Sequence, residues 1–168
     1  MKRVLVIGHP GAGKSTLARH LAARTGLPLI HLDRAFWQPG WVETPHERWV
    51  RKTDELISRD AWVMDGSYTK TLKQRLARAD TVIYLKFSRY LCLWRIVKRV
   101  VTNFGRVRAD LGYGCPERLD FVFLKWAWHY RRDQYPVVEQ LLQKYFCGGK
   151  LVELRNPREV HGFLEQMN

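Results

Sequence analysis

Three cysteines, Cys92, Cys115 and Cys147, are all that the chain contains. They are far apart and odd in number, with no CxxC pair and no zinc-ligand spacing, which excludes a disulfide framework and a structural zinc site. Reduced thiols in a cytoplasmic protein are the simplest expectation. No apolar run approaches the ~18 residues that cross a bilayer, and no membrane partner is expected. The apolar run after Met1-Lys2-Arg3 stops at Gly8, too short for the core of a signal peptide. Repeats, low-complexity tracts and long linkers are missing too, and 168 residues fit one domain over 1–168. Acidic side chains are also scarce: 16 Asp and Glu face 29 Lys and Arg, a net charge of +13. So basic a chain attracts polyanions, which means nucleotides, nucleic acid or acidic membrane surfaces. Between 86 and 132, 11 Lys and Arg stand against Asp110, Glu117 and Asp120, a local excess of +8.

What is present begins with Val4-Leu5-Val6-Ile7, a β-branched apolar run that reads as a strand buried on both faces. A helix is predicted over 14–24, ended by Gly26, and a strand over 28–32 ending at Asp33. A Trp- and Pro-rich loop spans 36–44, then a helix over 45–59 and a strand over 61–64 ending at Asp65. A helix over 71–78, a strand over 81–85 and a long helix over 90–102 follow. On the long helix, Leu91, Trp94, Val97, Val101 and Phe104 read as the core-facing stripe. The stretch 103–116 holds Gly105, Gly112, Gly114 and Pro116 without an apolar period and reads as a mobile lid loop. A helical region over 117–145 broken near Pro136, a strand over 150–154 and a helix over 157–166 complete the pattern. Strands alternating with helices imply an α/β fold: three layers, with helices on both faces of a parallel sheet.

Gly8-His9-Pro10-Gly11-Ala12-Gly13-Lys14-Ser15 matches G-x-x-x-x-G-K-[ST], between a buried strand and a helix. Glycines let successive backbone N–H groups turn into one concavity that holds phosphate oxygens, and the helix N-terminus favours an anion. Lys14 would sit on the β- and γ-phosphates, Ser15 would ligate magnesium, and Thr16 adds a hydroxyl in the helix's first turn. His9 is a permissive position expected to contribute its backbone only.

Ligands of open α/β sheets bind beyond the carboxyl ends of the strands. Asp33 and Asp65 should face that edge. Asp65, after four apolar residues, would hold magnesium with Ser15, while Asp33 would orient or deprotonate an acceptor hydroxyl or belong to the metal shell. Each also has a plainer reading as a turn or capping residue. Arg95 and Arg99, four apart, repel each other by about 0.2–0.5 kcal/mol unless an anion lies between them. Arg106 and Arg108 could close with the lid onto a γ-phosphate, and Arg118, Lys125, His129 and Arg132 share one stripe of the next helical region. Trp37 and Trp41 either stack on a base, cover an acceptor pocket or pack their own loop onto the helix beginning at Pro45. Trp62, Trp94, Trp126 and Trp128 read as core.

The order of P-loop, Leu32-Asp33 with Trp37 and Trp41, Trp62-Val63-Met64-Asp65-Gly66-Ser67-Tyr68, Arg75, Ala79-Asp80, Cys92-x-x-Arg95-x-x-x-Arg99 and Gly114-Cys115-Pro116-Glu117-Arg118, then Trp126 and Trp128, resembles the DNA topology modulation protein family. That family belongs to the adenylate-kinase-like P-loop proteins, and the resemblance covers nearly the whole chain. It implies a P-loop nucleoside-triphosphate hydrolase fold with five parallel strands and a lid. It also implies that Arg95 and Arg99 contact ATP and the transferred phosphoryl group, that Arg131 or Arg132 corresponds to an arginine after the lid, and that Asn156 and Pro157 border the adenine. The run after Asp65 departs from the Asp-Gly-[FY]-Pro-Arg of adenylate kinases, leaving Arg75 as the substitute for the arginine that grips AMP.

The expected function is therefore an ATP- and magnesium-dependent kinase of the nucleotide-kinase type, a monomer or homodimer. Lys14, Asp33, Arg95, Arg99, Arg106 and Arg108 would act at the reacting groups. Asp33, Trp37, Asp65, Tyr68, Arg75 and Arg132 would shape the site of an unidentified small acceptor. The alternative is an ATP-binding, nucleic-acid-associated protein with slow ATPase activity, although no nucleic-acid reader motif is present.

Overall fold

The run Val4–Ile7 is fully buried on both faces, and that burial fixes its place at the middle of a sheet. The computed structural model describes residues 1–167. In chain order the elements are β1 (Arg3–Gly8), α1 (Lys14–Thr25), β2 (Leu29–His31), α2 (Leu32–Phe36), β3 (Trp37–Gln38), β4 (Val42–Glu43), α3 (His46–Ile57) and β5 (Trp62–Asp65). There follow a 3-10 turn (Thr69–Thr71), α4 (Leu72–Arg78), β6 (Thr81–Leu85), α5 (Arg89–Asn103), α6 (Phe121–Asp133), α7 (Tyr135–Tyr145), β7 (Lys150–Leu154) and α8 (Pro157–Glu165). Five strands make one parallel sheet in the order β2-β5-β1-β6-β7, as the alternating pattern implied. Alternation along β1 sends Leu5 and Ile7 to a core under α3, α4, α6 and α7, and Val4 and Val6 to one under α1, α5 and α8.

Register decides what reaches the carboxyl edge. Val6 and His31 both lie opposite Asp65, and Gly8 lies opposite Leu85, so the P-loop and the ends of β2 and β5 share one rim. The chain leaves β1 toward β5 and β2 on one side and returns to β6 on the other, which makes this rim the switch point of the sheet.

Four expectations need correction. Asp33 does not end a strand; β2 stops at His31, and Asp33 lies in the first turn of the short helix α2. The Trp-rich loop contains the β3–β4 hairpin, with Trp37 opposite Glu43. The stretch 103–116 is pinned rather than loose: Phe104 bridges Glu117, and Val107 bridges Pro116. Its tip docks on the hairpin, where Gly40 N–H donates to Gly114 O at 2.8 Å and Trp41 Nε1–H to Pro116 O at 3.0 Å. Backbone bonds hold it without a buried stripe, which is why no apolar period marks it. The fourth correction concerns α5, which buries Cys92, Ile96 and Val100 and leaves Trp94, Val97, Val101 and Phe104 exposed. Trp126 and Trp128 are exposed too, so of the four tryptophans read as core only Trp62 is buried; Trp49 is the second buried one.

Gly8 shows how little room the P-loop has. Its φ is +137°, and a Cβ there would lie 2.3 Å from Leu85 O on β6. Gly8→Ala must therefore part β1 from β6 at the rim, and urea titration should show a loss of about 3 kcal/mol or more in unfolding free energy.

Candidate active site

The P-loop wraps the N-terminus of α1. Gly13, with φ +94°, stands at its N-cap, and no side chain caps it, so the amides of the first turn remain open. Gly11 is needed for close packing, since a Cβ there would lie 2.4 Å from Cys92 O. Lys14 Nζ donates to Gly8 O and His9 O at 3.1 and 3.0 Å and so parks on the loop's own carbonyls. Burial pulls its pKa down, against the opposing pull of Asp33 and Asp65. Ser67 closes the base of the loop, accepting from Gly8 N at 3.1 Å and donating to Gly8 O at 2.9 Å.

A crevice of about 1260 Å³ opens above this edge. Gly8, Pro10 to Thr16, Arg95, Arg99, Arg108, Asp33, Asp65, Tyr68, Trp37 and Pro157 line it, so most of the residues singled out in the sequence meet there. One end, bounded by Phe87, Pro157, Val160 and Leu164, lies beside Arg95; the other is aromatic, with Phe36, Trp37, Trp41, Trp49, Tyr68 and Trp126. Trp37 and Trp41 meet edge to face at 5.4 Å, and Phe36 packs against Trp37, Trp49 and Tyr68. These tryptophans thus pack their own hairpin and also line the crevice.

Asp33 accepts from Tyr68 Oη at 2.7 Å, and burial raises its pKa despite that bond. Asp65 Oδ1 lies 2.7 Å from His31 Nδ1, and this hydrogen bond raises the His31 pKa. A magnesium ion on a nucleotide takes most of its ligands from phosphate and water and one or two from the protein. Among the described residues no group of three His, Cys, Asp or Glu could hold a metal unaided. Ser15 and Asp65, oxygen donors on the same crevice as the open α1 N-terminus, fit that smaller demand.

The basic side chains divide into two sets. Arg95 reaches the loop, donating from Nη1 to Ala12 O at 3.2 Å. Arg99 donates from Nε to Glu117 Oε1 at 2.9 Å, and its Nη2 lies 2.9 Å from the same oxygen. Arg108 Nε lies 3.2 Å from Glu117 Oε2 and 3.4 Å from Asp110 Oδ1. A buried carboxylate thus joins the end of α5 to the lid and holds two arginines at the crevice wall. The others are elsewhere. Arg106 is exposed and outside the lining. Arg132 is exposed and pairs with Asp133 at 2.6 Å, and Arg131 lines a separate small cavity with Lys86 and Glu139, so neither faces the crevice. Asn156 caps α8, accepting from Glu159 N at 3.0 Å, and is not a lining residue.

Arg75 is the sharpest correction. It is fully buried, and its guanidinium donates to the carbonyls of Gly66, Ser67, Tyr68 and Thr71. It braces the turn that carries Ser67 and Tyr68 and has no free face for an acceptor. His9 also does more than lend its backbone. Its buried ring lies 5.1 Å from the Tyr130 ring and ties the loop to α6, and burial lowers its pKa.

Ser67, His31 and Glu117 were not singled out for these roles in the sequence. Each acts through a partner distant in the chain, and only the parallel register of His31 with Asp65 could have hinted at one of them. Glu117→Gln removes the charge that holds Arg99 and Arg108. Tryptic cleavage in the lid should then accelerate about tenfold, the ratio for ~1.4 kcal/mol of lost local stability.

No model of a known protein family matches the chain. A shikimate kinase of Rhodococcus jostii is 32% identical over 118 residues, covering 62% of this chain and 68% of that protein. An adenylate kinase of Thermotoga petrophila is 31% identical over 80 residues, 48% of this chain and 36% of that longer protein. Among solved structures, the shikimate kinase of Acinetobacter baumannii in complex with shikimate superposes with a TM-score of 0.65 at 18% identity, over 99% of this chain and 90% of that one. The shikimate kinase of Bacteroides thetaiotaomicron superposes with a TM-score of 0.52 at 14% identity, over 99% and 95%. At such identities the superpositions speak for the fold alone. These relatives support the kinase part of the resemblance and add nothing to its DNA-topology part. Given its match to 68% of a shikimate kinase at 32% identity, the chain belongs to the P-loop phosphotransferase family of the shikimate and adenylate kinases.

Proposed function

We propose that this protein transfers the γ-phosphoryl group of ATP to a hydroxyl of a small acceptor held at the aromatic end of the crevice. The observation that carries this is the meeting, on one crevice, of an uncapped helix N-terminus with Lys14, a desolvated carboxylate at Asp33, and arginines from two other elements.

ATP would lie with its triphosphate in the P-loop amides and its base toward Pro157 and Leu164. Lys14 would leave the carbonyls of Gly8 and His9 for the β- and γ-oxygens, regaining the charge partner that burial makes it need. Ser15 and Asp65 are the groups that would hold magnesium, which neutralises charge on the phosphate oxygens. The acceptor oxygen attacks the γ-phosphorus, the bond to the β,γ-bridging oxygen breaks, and ADP leaves with that electron pair. The acceptor's proton passes to Asp33, whose raised pKa suits it to accept one. Arg95, Arg99 and Arg108 would face the charge of the moving phosphoryl group. Arg106, Arg132 and Asn156 have no part in this scheme.

The acceptor is best sought by ATP turnover across nucleosides, nucleoside monophosphates and small hydroxy compounds including shikimate. DNA forms a parallel arm that tests the topology-modulation alternative. One small acceptor should raise turnover sharply; stimulation by the polymer alone would contradict the proposal. Asp33→Asn should lower acceptor-dependent turnover about 10²-fold or more. It should also raise the melting temperature by a few degrees at neutral pH. The sign follows from the raised carboxyl pKa: the charged form is disfavoured by folding, so its cost is present at neutral pH and fades as acid protonates the group in both states.

A further inference from the structure

Tyr90, Trp94, Val97, Val101 and Phe104 follow one another at intervals of four, three, four and three residues along α5 and its C-cap, which lines them up on one side of the helix. They are 63%, 58%, 44%, 74% and 68% exposed. The opposite side is already in use: Cys92, Ile96 and Val100 pack into the protein, and Arg95 and Arg99 reach the crevice. Trp128 of α6 extends the stripe, its ring 5.7 Å from that of Tyr90. Contiguous apolar surface of this extent, some 20 Å long at 1.5 Å per residue, marks an interaction site more often than idle surface.

Its charge points to the occupant. Of the cations on α5, Arg89 and Lys98 border the stripe, and the helix has no acidic residue. The Arg89 guanidinium lies 4.4 Å over the Trp128 ring, and Lys98 Nζ lies 5.0 Å over the Trp94 ring, so cations edge the apolar stripe. A helix with an apolar face bearing Trp and Phe between basic margins suits the interface of an anionic bilayer, where the rings enter the headgroup region and the cations meet phosphate. We propose that this face of α5 docks the protein onto anionic lipid surfaces.

Two other occupants fit less well. A second copy related by two-fold symmetry would bring Arg89 and Lys98 against a helix that offers no carboxylate to answer them. Nucleic-acid bases need open ring faces, but one face of Trp94 and one of Trp128 already carry a cation, and Val97 and Val101 cannot stack. Because the stripe points away from the crevice, docking would leave the nucleotide entrance free, and this proposal stands apart from the phosphotransfer reading.

The test is co-sedimentation of the full chain with vesicles of phosphatidylcholine alone or mixed with phosphatidylglycerol, at low and high salt. The wild type should sediment with the anionic vesicles, and high salt should weaken that binding. The double variant Val101→Ser with Phe104→Ser, and separately Lys98→Glu, should each lower the partition coefficient about tenfold or more. Melting temperature and ATP turnover should remain unchanged, because these side chains touch neither core nor crevice. Failure to bind either vesicle, or equal binding by the variants, would overturn the proposal. So would a dimer in sedimentation equilibrium, or single-stranded oligonucleotide binding, that the same substitutions abolish.

Discussion

A helix that starts with bare amides at the rim of a buried strand is the constraint around which this protein is organised. The first-turn N–H groups of α1 have no side-chain cap, and Gly13 holds the backbone in a left-handed turn that leaves them open. Helix termini left open in this way call for an anion, and keeping one open costs stability unless the surroundings enforce it. Here the enforcement is steric and local: Gly8 and Gly11 press against the backbones of β6 and α5, and Ser67 bonds both backbone groups of Gly8. Arg75 in turn holds Ser67 in place. The cradle thus depends on a chain of contacts that reaches through α4 into the core.

The basic residues of this chain divide by partner rather than by position in the sequence. Arg75 spends its donors on carbonyl oxygens and is structural. Arg99 and Arg108 share Glu117, a buried carboxylate that fixes them without saturating them. Arg95 bonds a P-loop carbonyl and lies where a nucleotide would pass. The same logic separates the two carboxylates at the rim: His31 bonds Asp65, while Asp33 accepts from a phenol, and burial raises its pKa despite the charges of Lys14 and Arg108. Residues whose electrostatic cost is left uncompensated are the ones a ligand can relieve.

The fold was largely legible because its signals are local. Val4–Ile7, Trp62–Met64 and Thr81–Leu85 are short runs buried on both faces, and the P-loop announces its own turn. The faces of α5 were not legible. It carries two apolar stripes, and the bulkier one, through Trp94 and Phe104, was read as core while the smaller Cys92-Ile96-Val100 stripe is the one that packs. Hydrophobicity alone cannot rank two stripes on one helix; the close approach of the Cys92 carbonyl to Gly11 decides it. Arg75 misled for a similar reason, since a guanidinium satisfied by backbone oxygens leaves no mark in the sequence. Ser67, His31 and Glu117 owe their roles to partners 59, 34 and 18 residues away, beyond any spacing rule.

The most direct test of this account is calorimetric titration of a non-hydrolysable ATP analogue with magnesium into the wild type and into Lys14→Ala. The wild type should bind one equivalent, and the variant, with an unchanged circular dichroism spectrum and melting transition, should lose affinity by about 10²-fold or more, as expected when a buried charge-assisted contact to phosphate is removed. Equal affinity in the two proteins, or no binding by the wild type, would show that the open end of α1 is not a triphosphate site.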